Sequence, residues 1–105
     1  TCVVIADEKN PFIAVTLAEV LATSDLPAGV VNILTGKAAE LAPWVGSHMD
    51  IDAVDATGLS SKLVAEVKLA GAENLKRVHT FEALESTGRI VKFLEEKTVW
   101  HTVGL

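Results

Sequence analysis

Short runs of aliphatic and β-branched residues alternate along this chain with longer segments in which apolar residues recur three and four positions apart. Cys2–Ala6 reads as a first strand. Asn10-Pro11 then predicts a helix start, with Asn10 as N-cap and Pro11 at the first helical position, where a missing N–H costs nothing. Phe12, Ile13, Leu17, Val20 and Leu21 are spaced to share one face of that helix, which Ser24–Gly29 ends in a turn. Val30–Leu34 predicts a second strand, and Ala38–Val45 a helix with Leu41, Trp44 and Val45 on its apolar side. Ile51–Ala56 reads as a third strand closed by Thr57-Gly58. Leu63, Val67 and Ala70 mark a helix ending near Gly71. Arg77–Phe81 is a short fourth strand, Glu82–Glu96 a helix that Thr87-Gly88 could divide, and Val99–Val103 a last strand by its two-residue alternation.

Strands and helices in strict succession specify crossover connections and a parallel sheet. The expected fold class is therefore α/β: an open, mostly parallel sheet with helices on both faces, a Rossmann-like three-layer sandwich. The chain has 105 residues, the size of one domain over 1–105, and half of them are hydrophobic, which suits a packed core and argues against disorder.

Charge narrows the function classes. The net charge is −5 and the nine basic residues are scattered, so no surface is expected to neutralise nucleic-acid phosphates. Charged or polar residues interrupt every apolar run before membrane-spanning length, and no signal peptide is recognisable, which predicts no membrane partner. Cys2 is the only cysteine, so no internal disulfide can form, a cytoplasmic location is expected, and a place in the core suits it better than a reactive role. The chain opens on Thr1, not Met, and is expected to be processed or cut from a longer parent.

Several groupings invite a chemical reading and lose it on geometry. Asp50, Asp52 and Asp55 crowd one segment, but strand alternation puts Asp55 on the face opposite Asp50 and Asp52. A solvated edge is expected and no metal site. His48, His79 and His101 share no ligand spacing. Gly58–Lys62 lacks the first glycine and the ending of a phosphate-binding Walker loop. Trp44 and Trp100 read as core or interface aromatics, and Trp100-His101 could pair with a partner's sheet edge.

Leu26–Gly36, LPAGVVNILTG, closely resembles the LPPGVVNVVTG segment of the aldehyde dehydrogenase superfamily. VVIADEKNPFIAVTLAEVL upstream is similar to that family's VVVKPSEQTPLTALHLAEL. Downstream, SHMDIDAVDATG resembles HPDVDKIAFTG, and AENLKRVH resembles SNLKRVT. The four strings fall in family order across residues 2–79, whereas 80–105 resembles nothing in the family and reads as a closing helix and strand.

The resemblance implies most of a Rossmann-like NAD(P)-binding domain, with cofactor at the carboxyl ends of the strands. In the family a lysine and then a glutamate bind the adenosine ribose, an FTGS turn supports the pyrophosphate at a helix start, and the glutamate of ELGG is the general base. Carried over by position, Glu8 stands at the ribose glutamate and Thr57-Gly58 keep the middle of the turn. These three are the expected cofactor-binding residues. Ile5 stands where the lysine would be, Ala56 and Leu59 replace the turn's phenylalanine and serine, and Phe81 falls at the glutamate, which Glu82 reaches only with a one-residue shift. Cys2 lies on the wrong strand to replace the family's nucleophilic cysteine, which belongs to a separate domain, so no catalytic residue is expected here.

The expected cofactor is thus NAD or NADP, bound weakly or no longer bound. The expected protein is a fragment of an aldehyde-dehydrogenase-family oxidoreductase, alone inactive, or else a degenerate non-catalytic binding or assembly module of that descent. Its partners would be a dinucleotide, a second copy, or the remainder of a parent chain.

Overall fold

A computed structural model describes residues 1–82, 87–95 and 97–104. The fold is α/β, built of helices and small parallel sheets. In chain order it comprises β1 (Cys2–Ile5), α1 (Phe12–Ala22), β2 (Val31–Leu34), α2 (Ala38–Ser47), β3 (Ala53–Asp55), α3 (Ser61–Gly71), a single 3₁₀ turn (Ala72–Asn74), β4 (Arg77–His79) and α4 (Thr87–Val91).

The strands pair in twos. β1 runs parallel to β2 with Cys2 opposite Val31 and Ile5 opposite Leu34, and β3 runs parallel to β4 with Ala53 opposite Arg77 and Asp55 opposite His79. The expected single open sheet is thus divided into two ribbons among the described residues. The radius of gyration is 16.6 Å, against about 13 Å for a compact chain of this size, and agrees with a molecule drawn out rather than closed around one centre.

The core sits where α2 meets α3. Val67 is 1% exposed, and Ala42, Gly46 and Gly71 are buried beside it. Gly46 makes this approach close: a Cβ there would meet the Cβ of Ala70 at 3.2 Å and the Cα of Val67 at 3.3 Å. The packed face of α2 is consequently its small-residue side, with Leu41 and Val45 at the flanks, while Trp44, expected among the packed residues, is 75% exposed.

A buried lysine ties this helix pair to the second ribbon. Gly71 leaves room for the Lys76 side chain, whose Cβ would lie 3.0 Å from a glycine-71 Cβ. Lys76 Nζ donates to the carbonyl oxygens of His48, at 2.7 Å, and Ile51. Asn74 Nδ2 donates to Met49 and Ile51 carbonyls at 2.9 and 3.1 Å. The loop between α2 and β3 is therefore held by donors from the turn before β4. Burial pushes the Lys76 ammonium below its ordinary pKa, and the nearby Asp52 charge partly offsets this.

The α3 end is closed by the residue after the 3₁₀ turn. Lys76 N–H donates to Gly71 O at 2.9 Å and Leu75 N–H to Ala72 O at 3.4 Å, the paired bonds of a Schellman cap. The left-handed position of such a cap suits glycine, yet here it is Leu75, with φ 56° and a side chain 88% exposed.

The first ribbon is more lightly packed. Only Ala14, Ala18 and Leu21 of α1 are half-buried, and they form the stripe facing β2. Phe12, Ile13, Leu17 and Val20, expected on the buried face, lie exposed. A two-stranded ribbon is too narrow to cover more than one stripe of the helix. Cys2 is likewise exposed, where the sequence suggested the core. The cap of α1 also differs from expectation: Pro11 takes the N-cap position and no side chain bonds there.

Of the Glu82–Glu96 segment expected to be helical, Thr87–Val91 forms α4 with Gly88 inside it and Lys92–Glu95 does not continue it, while Ala83–Ser86 and Glu96 lie outside the described residues. Val99–Val103 forms no strand, because the alternation of its side chains finds no sheet edge to bond, and Trp100 is 91% exposed.

Two substitutions test this packing. Lys76→Met removes the charge-assisted hydrogen bonds to the His48 and Ile51 carbonyls, which keep only the Ile51 N–H at 3.3 Å and Asn74 Nδ2 at 3.1 Å, and is expected to lower stability by about 1–3 kcal/mol in chemical denaturation. Leu75→Gly removes the left-handed strain from an exposed side chain and is expected to raise the melting temperature, by an effect worth about 1 kcal/mol.

Candidate functional site

The carboxyl ends of parallel strands are where backbone groups diverge and ligands of open α/β sheets gather. Glu8 lies three residues beyond β1, and Thr57-Gly58 lie just beyond β3, so both expected cofactor-binding positions stand at strand carboxyl ends.

Glu8 is exposed, and its Oε2 accepts from the backbone N–H of Ala38 at 3.3 Å. Ala38 is the first residue of α2, and Lys37, its N-cap, offers no side-chain oxygen. The Glu8 carboxylate therefore supplies the side-chain acceptor that the Lys37 N-cap does not, adding to the negative charge of Glu40 in the first turn. A solvent-facing carboxylate there can equally accept hydrogen bonds from sugar hydroxyls. Ile5 at the end of β1 brings no polar group to this side.

The turn after β3 is constructed differently. Leu59 N–H donates to Ala56 O at 3.2 Å, which brings Gly58 to φ 89°, and nothing lies within 4 Å of where a Gly58 Cβ would be. Only glycine adopts that conformation without strain, and its open side lets another group approach the backbone. Ser60 then caps α3, its Oγ accepting from Leu63 N–H at 3.4 Å.

Two bonds fix Thr57. Its N–H donates to Asp55 Oδ1 at 2.9 Å, and its Oγ1 accepts from Phe81 N–H at 2.9 Å. The other oxygen of Asp55 is held by Arg89 of α4, through Nε at 2.8 Å and through Nη2 as well. The Arg89 guanidinium also stands 5.1 Å above the Phe81 ring. Asp55 and Arg89 side chains are 24% and 26% exposed, so the pair is shielded rather than a surface contact. Burial pushes the Asp55 carboxyl up, but the Thr57 hydrogen bonds and the Arg89 charge outweigh it and hold the pKa below the ordinary 3.8.

Sequence reasoning missed this pair. Asp55 read as part of a solvated acidic edge, whereas the structure separates it from exposed Asp50 and Asp52 and gives it a cation. Strand alternation did place it on the opposite face; nothing in the sequence pointed to a partner 34 residues away. Among the described residues no group of three His, Cys, Asp or Glu side chains gathers to hold a metal ion.

A cleft of about 760 Å³ lies elsewhere, between the second ribbon and the 91–95 segment. Asp52, Asn74, Arg77, His79 and Phe93 line part of it, and Glu8, Thr57 and Gly58 do not. Arg77 closes one side by donating to the Leu94 carbonyl at 2.7 Å and, longer, to that of Lys92 at 3.4 Å. His79 packs on Phe81 with ring centroids 5.8 Å apart, and its Nε2 is buried without a protein partner.

The chain matches the model of the aldehyde dehydrogenase family over residues 1–86. It is similar to human aldehyde dehydrogenase 1A1, 41% identical over 80 residues, and to its mouse counterpart at the same identity. It is also similar to rat aldehyde dehydrogenase, cytosolic 1, at 39% over 80 residues. These alignments cover 74% of the chain and 16% of each relative, so the chain spans only part of the proteins it matches. No solved structure matches it.

The Asp55 network sets a pH dependence. A carboxyl whose folded pKa is depressed stabilises the fold fully above its unfolded value, and this contribution is lost as pH falls through the folded pKa. The melting temperature is therefore expected to drop as pH falls from the ordinary carboxyl value of 3.8 through the lower Asp55 value, and less steeply in Asp55→Asn than in the parent.

Proposed function

The chain belongs to the aldehyde dehydrogenase family, and we propose that it forms part of that family's NAD(P)-binding domain with its dinucleotide affinity much reduced. The observation carrying this reading is that Glu8 and the Thr57–Gly58 turn stand at the carboxyl ends of parallel strands within the segment matching the family. The residues fit the group unevenly. Glu8 offers a solvent-facing carboxylate for ribose hydroxyls, and Gly58 leaves its backbone open to approach. At the turn, however, Asp55 already accepts the Thr57 N–H and places negative charge where pyrophosphate would lie. No reaction step follows from this arrangement.

A second reading has its own support. Phe81 stands at the position the resemblance gives to a general base, and its ring serves as a platform for Arg89. Together with the exposed apolar residues of α1, this favours a non-catalytic binding or assembly module descended from the family.

Calorimetric titration with NAD+ and NADP+ separates the two readings. The reduced-affinity reading expects saturable binding with Kd of about 0.1–1 mM, weakened about tenfold by Glu8→Gln through loss of a charge-assisted hydrogen bond. Binding in the low micromolar range would contradict the reduced affinity. Its complete absence would favour the non-catalytic module.

A further inference from the structure

An anion-binding turn works by presenting unengaged backbone N–H groups to the ligand. The turn after β3 departs from this in one respect: the Thr57 N–H is taken by a carboxylate of the chain itself. That carboxylate is not a stray surface group. One oxygen receives Thr57 at 2.9 Å, the other receives Arg89, and Arg89 is steadied in turn against the Phe81 ring. Phe81 N–H donates to the Thr57 hydroxyl, so the four residues form one closed network linking β3, its turn, the end of β4 and α4.

The arrangement has the chemistry of an occupied anion site: a carboxylate bound by a backbone amide and a guanidinium, the two donors that phosphate oxygens most often engage. We propose that the Asp55 carboxylate is the resident anion of this turn, and that Asp55 and Arg89 together form a latch excluding external phosphate-type anions. This rests on the reading that the turn borders a dinucleotide's pyrophosphate, and it deepens that reading by stating what regulates access. Releasing Asp55 frees the Thr57 amide and hands Arg89 to the incoming anion. Removing Arg89 alone does neither, because Asp55 keeps the amide and its charge is no longer offset. The latch therefore makes unequal demands on its two members, which a simple steric strap would not.

Inorganic pyrophosphate is the direct probe, titrated by calorimetry against the parent chain, Asp55→Ala and Arg89→Ala. The expected result is about tenfold or more tighter pyrophosphate binding in Asp55→Ala and no gain in Arg89→Ala. Equal affinities in all three chains, or a gain confined to Arg89→Ala, would overturn the latch. Asp55→Asn, which keeps an acceptor for Thr57 and so preserves the turn, guards against a folding failure. The Arg89 Nε–H is expected to exchange slowly by NMR in the parent and to shift and exchange rapidly in Asp55→Asn, and an identical resonance in the two chains would refute the pairing. Parallel NAD+ titrations keep the two proposals apart. Pyrophosphate gain in Asp55→Ala without any NAD+ binding leaves the latch standing and removes the dinucleotide reading.

Discussion

The close crossing of α2 and α3 at Gly46 is the constraint on which the rest of this structure depends. It buries Val67, the largest fully buried side chain described, and it exists because glycine and alanine let the two backbones approach. Enlarging Gly46 would drive against Cα and Cβ atoms rather than a flexible side-chain end, so the neighbours could yield only by moving a helix. From this contact the position of the second ribbon follows. The loop leaving α2 hangs on Lys76 and Asn74, both of which lie between α3 and β4, and β3 begins directly after that loop.

The candidate site inherits this order. The Thr57–Gly58 turn lies between β3 and α3, two elements anchored by the helix contact and the buried lysine. Glu8 belongs to the other, lightly packed ribbon and touches the anchored part through the first amide of α2. The two halves of the proposed dinucleotide-binding surface are thus carried on unequally secured supports. The secured half holds its own carboxylate, and the accessible half carries Ile5, an apolar residue, at the end of β1.

From β1 to β4 the alternation of elements was legible in the sequence to within a residue or two, because β-branched runs and three- and four-residue spacings report local structure directly. Glu8, Thr57 and Gly58 were singled out by resemblance alone, and they lie after the carboxyl ends of β1 and β3. What sequence could not supply was long-range. The Arg89–Asp55 pair joins residues 34 positions apart, and Arg89 lies beyond residues 1–86, where the chain matches the family model. Burial was misjudged where it depended on sheet width: the apolar face of α1 is genuine, but two strands cover only its alanine stripe. Val99–Val103 has the period of a strand and no edge to join, which alternation alone cannot reveal.

Residue-resolved amide hydrogen exchange on the chain tests the central claim most directly, since protection reports which backbone bonds open together. If the α2–α3 contact organises the fold, amides of α2, β3 and α3 around Val45–Gly46 and Val67–Ala70 exchange slowest, and those of β1 and α1 exchange at least tenfold faster. Equal protection in the two ribbons, or slower exchange in β1 and α1, would contradict it.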